Sequence, residues 1–209
     1  MSRSTLCRAM SAGALCLTAT TTAALVPAAA DAAEIGVSAK RLNIQTGSRV
    51  TVEGKVADPA TPRTAVLQIQ RGHRWVTLDR DRTNGAGKFT LRDRVRSPLS
   101  SRARVRLSSG ETRMLGRLNV YRRALASWYG PGLFGNRLGC GGTLQTGSLG
   151  VANKSLPCGT KVTLRHHGRV VRVRVIDRGP YVGGREYDLT AATARKLGFS
   201  GHGPVEVTR

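Results

Sequence analysis

Val170-Val-Arg-Val-Arg-Val-Ile-Asp177-Arg-Gly-Pro-Tyr-Val-Gly-Gly-Arg-Glu-Tyr-Asp188-Leu-Thr-Ala-Ala-Thr-Ala-Arg-Lys-Leu-Gly-Phe199 is the stretch from which the fold is read. Val171, Val173 and Val175 fall on one face of a strand and Arg172 and Arg174 on the other. Gly179-Pro180 and Gly183-Gly184 break the pattern, so Asp177 stands where a buried strand ends and a loop opens. A short Ala-rich helix is predicted from about Leu189 to Leu197. Asp188 or Thr190 is its N-cap, Arg195 and Lys196 lie in its last turn, and Gly198 stops it. Strand, turn, Gly-rich loop and capped helix make Asp177 the first candidate for function.

Outward from this unit, composition sets the setting. The chain has 209 residues, a formal charge of +22 and 4% aromatic residues. A protein this basic meets polyanions: nucleic acid, anionic lipid or acidic wall polymers. Residues 1–33 have the order of a secretory signal peptide. Arg3 and Arg8 precede an apolar, Thr-rich run from Ala9 to Val26, and cleavage is expected after Ala30, Ala32 or Ala33. That run is too short and too Thr-rich for a membrane anchor, and no later segment could cross a bilayer. A secreted, wall-associated monomer is expected, which argues against a nucleic-acid partner. Cys7 and Cys16 fall in the signal peptide without the small residue that lipid attachment requires. The remaining Cys140 and Cys158 are expected to form a disulfide, because an exported pair oxidises and no further ligands stand at metal spacing. No metal and no cofactor are expected.

Residues 34–121 read as all-β. Arg49–Val56, Ala65–Gln70, Arg74–Leu78, Lys88–Arg92 and Ala103–Leu107 alternate, with turn clusters between them such as Asn84-Gly-Ala-Gly87. Strands at this spacing predict a small β-sandwich, and Val-x-Leu-Gln, Trp-Val and Thr-x-x-x-Gly-x-Phe resemble immunoglobulin-like or fibronectin-like modules. Trp75 is expected to pack within it rather than to stack on sugar. Residues 34–123 hold 20 basic and 7 acidic residues, and residues 124–209 hold 12 and 4, so the charge is spread over both parts.

Alternation ends near Tyr121, and residues 122–209 form a second predicted domain. Ala126-Ser-Trp-Tyr-Gly130, a Gly-rich loop, a hairpin turning at His166-His167-Gly168 and a last strand from Pro204 to Thr208 suggest six short strands and one helix. A small closed barrel fits that count better than a sandwich. Adjacent His166 and His167 point to opposite faces of a strand, so a turn suits them better than metal ligation.

Ala126-Ser-Trp-Tyr-Gly130, Gly150-Val-Ala-Asn-Lys-Ser-Leu-Pro-Cys-Gly-Thr-Lys-Val162, Val175-Ile-Asp-Arg-Gly-Pro-Tyr181 and Tyr187-Asp-Leu-Thr-x-x-x-Ala-x-x-Leu-Gly198 resemble the rare lipoprotein A (RlpA) family, in order and over nearly all of residues 124–209. The resemblance implies a six-stranded double-psi β-barrel and endolytic transglycosylase work on peptidoglycan glycan strands, leaving anhydro-muramic ends. It carries the strand-end acid of the family onto Asp177 and a later one onto Asp188. Gly142 stands where active relatives have an acid, and Asn153 where they have a histidine.

One carboxyl could suffice for such chemistry. It protonates the glycosidic oxygen and then, as carboxylate, accepts the proton of the C6 hydroxyl that closes the anhydro ring. Asp177 is the candidate catalyst, or else a carboxylate pinning the turn through the Gly179 and loop amides. Candidate groove residues are Trp128, Tyr129, Asn153, Arg178, Tyr181, Glu186 and Asp188. For these the alternatives are core packing for Trp128 and Tyr129, a helix cap for Asp188, and a solvated charge for Glu186. Arg172, Arg174 and Arg178 would depress the pKa of Asp177 if they faced it. The competing function is an expansin-like, non-catalytic module that binds peptidoglycan or other anionic wall polymers.

Overall fold

The computed structural model describes residues 35–209, so the signal-peptide reading of residues 1–33 lies outside them. Two apolar clusters organise these residues, one built from Ile35 to Val120 and the other from Ala124 to Val207.

The first cluster lies between two sheets. Strands β1 (Ile35–Arg41), β3 (Arg49–Val56) and β6 (Lys88–Arg94) form an antiparallel sheet in the order β1-β3-β6. Facing it are β5 (Arg74–Arg82), β4 (Thr64–Arg71), β7 (Leu99–Leu107) and β8 (Thr112–Tyr129), with the short β2 (Asn43–Gln45) running parallel to β8. Alternation selects the inner faces. Val50, Val52 and Val56 meet Leu67, Ile69, Val105 and Leu107, all buried. Gly54 takes the inward place between the valines because the Phe89 ring and the Gly36 carbonyl occupy the space of a β-carbon. Trp75 lies under the Arg104 guanidinium, 4.0 Å from its ring centroid, so it packs on the sandwich surface.

The second cluster fills a closed ring. Around it run β8, β12 (Tyr187–Thr190), β9 (Gly150–Ala152), β11 (Arg169–Asp177), β10 (Lys161–His166) and β13 (Gly203–Val207), which returns to β8. The pairs β8–β12 and β9–β11 are parallel and the rest antiparallel. This is the six-stranded barrel expected from the sequence, with two parallel crossings. Val151, Val162, Leu164, Val175, Leu189 and Val205 fill it, and α1 (Ala191–Leu197) covers it through Ala194 and Leu197.

Helix α1 starts two residues later than the alternation suggested. Leu189 and Thr190 are held in ladders to Trp128 and Tyr129 of β8, and Thr190 caps the helix with its hydroxyl accepting from the Thr193 amide. Asp188 is therefore not the cap. Gly198, at φ 68°, ends the helix in the left-handed region. Strand β8 is longer than the sequence pattern implied. It runs unbroken for 18 residues, placing Leu118 and Val120 in the first cluster and Ala124 and Ala126 in the second. The predicted boundary at residues 121 and 122 falls within this strand.

Gly150 is a second glycine fixed by packing. A β-carbon there would overlap the Ile176 side chain. Its amide donates to Thr193 Oγ1 at 2.9 Å, and its carbonyl accepts from the same hydroxyl at 2.9 Å. Thr190 Oγ1 in turn donates to the Ser148 carbonyl at 2.6 Å. Cys140 and Cys158 form a disulfide, Cα atoms 5.6 Å apart, that ties the Gly-rich loop after β8 to the loop before β10.

Two outcomes follow for stability. Gly150→Ala should lower unfolding free energy by about 1–3 kcal/mol, read by denaturant titration, through overpacking against Ile176; an unchanged midpoint would show that the neighbour yields freely. Cys158→Ser should cost about 3 kcal/mol relative to the oxidised protein, from loss of loop closure over 18 residues, and the difference should vanish when both are measured with reductant.

Candidate active site

Four neighbouring strands of the barrel bring the acids together. Ala152 of β9 stands opposite Asp177 of β11 on one side and opposite Asp188 of β12 on the other. Two inter-strand steps separate the acids, putting their Cα atoms roughly 10 Å apart. On the far side of β12, Ser127 and Tyr129 of β8 stand opposite Asp188 and Thr190.

A β-bulge aims Asp177. Val171, Val173 and Val175 point into the core, and strict alternation would send Asp177 after them. Between Val175 and Asp177 the register with β9 skips Ile176, which packs over Gly150 instead. The extra residue removes the carboxylate from the apolar face, the re-aiming that bulges provide beside functional sites. Asp177 Oδ1 then accepts from the Gly139 amide at 2.7 Å and the Arg178 amide at 2.8 Å. The Tyr129 hydroxyl also lies close enough to the carboxylate to interact with it. The pinning role is thus present, but through the Gly139 and Arg178 amides rather than that of Gly179. Gly139 is required at this point because a β-carbon would meet the Arg178 side chain at 2.8 Å.

Arg178 does not face the acid. Its guanidinium donates to the carbonyls of Asn153 at 3.0 Å and Leu156 at 2.8 Å, and to Cys158 Sγ at 2.8 Å. Asn153 is buried and equally occupied. Its Nδ2 donates to the Glu186 carbonyl at 2.9 Å, and its Oδ1 accepts from the amides of Ser155 and Leu156. Both residues hold the 153–158 loop against the end of β11 rather than project into a groove.

Asp188 has a different environment. Its Oδ1 accepts from the Ser127 hydroxyl at 2.8 Å, and Arg185 Nη1 donates to the same hydroxyl at 3.1 Å. Burial raises the carboxyl's pKa above its ordinary value and the charge of Asp177 adds to this. The Ser127 hydrogen bond and the charge of Arg185 oppose the shift. Tyr129 lies beside both acids. Burial first, then the charge of Asp177, hold its hydroxyl neutral far above the ordinary tyrosine range. Its Oη is buried close to Asp177 but not in hydrogen-bonding geometry with any described residue.

The other candidates are separated from this cluster. Trp128 is 38% exposed and, one residue from Tyr129, points elsewhere: it lines an apolar cleft of about 380 Å³ with Phe134, Phe199 and α1. Glu186 is engaged by Arg122 through bonds of 3.0 and 2.6 Å. Tyr181 is 81% exposed on the loop after the cis Gly179–Pro180 bond. Gly142, at φ 78°, closes the 138–142 turn by accepting from Leu138 and brings no carboxylate. His167 is in the hairpin turn at φ 44°, and His166 packs edge-on against Phe199. Among the described residues, no group of three or more His, Cys, Asp or Glu side chains could hold a metal ion.

Sequence patterns pointed to neither Ser127 nor Arg185 nor the Gly139 amide. Ser127 is visible only through the parallel register of β8 and β12, which pairs residues 61 apart in the chain.

A family model described as lytic transglycolase matches residues 122–209. A Synechocystis protein named "Probable endolytic peptidoglycan transglycosylase RlpA" is 46% identical over 38% of this chain and 25% of its own length. "Endolytic peptidoglycan transglycosylase RlpA" of Campylobacter jejuni is 42% identical over 40% of this chain and 32% of its own, and an Aquifex aeolicus relative is 42% identical over 38% and 36%. The chain therefore spans only about a quarter to a third of the length of these relatives. Among solved structures, the BSP domain of a biofilm-associated protein aligns with 84% of this chain and 25% of its own at 12% identity, with a TM-score of 0.29, too low to bear on the fold. The closed ring of six strands and the family match cover the same residues: residues 122–209 form an RlpA-like double-psi β-barrel that matches the family described as lytic transglycolase.

Proposed function

We propose that the chain is an exported peptidoglycan lytic transglycosylase with Asp177 as its acid/base. The observation that carries this is the placement of Asp177 and Asp188 on either side of Ala152, with one oxygen of Asp177 fixed by two amides. Asp177 gives its proton to the glycosidic oxygen as the bond from C1 to that oxygen breaks. The C6 hydroxyl oxygen then bonds to C1, and its proton returns to Asp177, restoring the acid without water. Asp188, held by the Ser127 hydroxyl and with its pKa raised chiefly by burial, flanks the site two strands from Asp177. Tyr129 excludes water beside them.

A second function has its own support. The apolar cleft of Trp128, Phe134 and Phe199 and the side-chain-free Gly142 suit a wall-binding module without catalysis. The order β1-β3-β6 facing β5-β4-β7-β8-β2 supports an immunoglobulin-like sandwich for residues 34–121, joined to the barrel of residues 122–209.

Digestion of purified sacculi, analysed by mass spectrometry, decides between the two. The wild type should release anhydro-muramic products, and Asp177→Asn should reduce them by at least about a hundredfold while binding sacculi as before. Wild-type rates from the variant would remove Asp177 from the chemistry, and no products from either protein would favour the binding module.

Asp188 gives a pH test. Its folded pKa is raised, so the stability it contributes is complete below the unfolded value of about 4 and is lost as pH rises through the folded one. Asp188→Asn should therefore raise the melting temperature at pH 7 by about 2 °C or more and leave it nearly unchanged at pH 3. An equal effect at both pH values would contradict a buried, desolvated carboxyl.

A further inference from the structure

One cleft lies away from the acids. It has a volume of about 590 Å³ and lies where residues 97–101, at the start of β7, and the turn from β4 to β5 meet β10 and β11 of the barrel. Arg71 and Arg117 line it from the sandwich side, and Lys161, Arg172 and Arg209 from the barrel side. No Asp or Glu lines it among the described residues, and none of these five makes an ion pair with a described residue.

Neutral oxygens hold the central pair. Ser100 Oγ accepts from Arg172 Nη1 at 2.6 Å and from Arg117 Nε at 3.1 Å, while its own proton goes to Asn119 Oδ1 at 2.6 Å. Arg117 Nη2 also donates to the Ser100 carbonyl at 3.1 Å, and Arg172 Nη1 approaches Thr163 Oγ1 at 3.3 Å. Two guanidinium groups thus converge on one hydroxyl. Ser100, Asn119 and Thr163 fix their direction without cancelling their charge. Like charges brought this close are unfavourable alone: burial first, then the charge of Arg117, lower the affinity of Arg172 for its proton, and burial does the same at Arg117. An anion entering the cleft would relieve that repulsion.

We propose that this cleft is a second binding site, built for the phosphodiester backbone of an anionic polymer. It goes beyond the proposed cleavage of glycan strands, since none of its residues belongs to the acid cluster. Several features favour phosphate over carboxylate. Two forks approaching from different strands can each take a separate non-bridging oxygen of one phosphate, whereas a planar carboxylate matches one fork. Arg71, Lys161 and Arg209 add further positive charge around the cleft. With few aromatics available to stack on bases, a phosphodiester polymer without bases fits better than nucleic acid.

Calorimetric titration of the full chain with a hexameric glycerol phosphate tests this. A polygalacturonate oligomer and a single-stranded oligonucleotide of matched charge serve as comparison probes. The glycerol phosphate should bind at least tenfold tighter than the carboxylate polymer, and no weaker than the oligonucleotide. Arg172→Glu and Lys161→Glu should each weaken it tenfold or more. Lys55→Glu, which makes the same charge change on the far strand β3, should alter it less than twofold. Lys161 is an exposed strand residue, so its variant reports even if Arg172→Glu loses its fold, as circular dichroism would reveal. Equal weakening by Lys55→Glu would mean diffuse charge attraction and overturn the site. So would equal affinity for the carboxylate polymer, and tighter oligonucleotide binding would assign the cleft to nucleic acid instead.

Discussion

The continuous strand β8 is the constraint on which both halves of the structure depend. A segment of 18 residues reaches roughly 60 Å when extended, so it serves two cores in turn. Its first part is laddered to β7 and β2, and its second to β13 and β12. A flexible linker between the cores would leave their placement open. Here ladders to β7 and β2, then to β13, then to β12 carry the pleat from Leu118 to Tyr129 without interruption. Side contacts reinforce this: Glu206 accepts from both Gln45 of β2 and Arg165 of β10, and the Arg165 guanidinium covers the Tyr121 ring at 4.4 Å. The phase of β8 is therefore fixed by packing in the sandwich, and it decides that Ser127 and Tyr129 face the acids while Trp128 faces α1.

The site depends on a second local fact, the absence of a side chain at Gly150. Ile176 can bulge only because its side chain lies over that bare Cα. Thr190 and Thr193 hold the backbone of Gly150 through buried hydroxyls, which links the N-terminal turn of α1 to the end of β11. The helix thus supports the position of Asp177 without touching it. Alternation, bulge, glycine and helix cap are separate local choices, and they agree on one carboxylate position.

Much of this was legible in the residues. Alternation gave the faces of β3, β4, β6, β10 and β11, because each has one apolar side. The strand end at Asp177 and the stop at Gly198 were marked by breakers. Where neighbours decide, the pattern was silent. The residues of β8 past Tyr121 look like a new start because Arg122 and Arg123 interrupt the apolar rhythm, yet the strand continues through ladders supplied by β13. Leu189 and Thr190 suit a helix by spacing, but parallel pairing with β8 claims them. Arg178 sits next to Asp177 in sequence and turns to the carbonyls of a loop more than twenty residues away. Adjacency along the chain does not set electrostatic proximity.

That last point settles how a chain of charge +22 keeps a cluster of acids usable. Arg172 and Arg174 alternate with the core valines, so they leave β11 on its outer face. Arg172 goes to Ser100 and Arg174 to the Gly159 carbonyl at 3.1 Å. Arg122 is matched by Glu186 and Arg165 by Glu206. Among the described residues, Arg185 alone of the nearby cations reaches the acid cluster, and it does so through the hydroxyl of Ser127 rather than by a direct bond to Asp188. Burial then outweighs that charge and keeps the Asp188 carboxyl raised. The pleat of one strand, β11, thus sends positive charge to the sandwich side while the bulge at its end turns Asp177 toward β9. Polyanion contact and acid chemistry can therefore occupy different faces of the same barrel without neutralising each other.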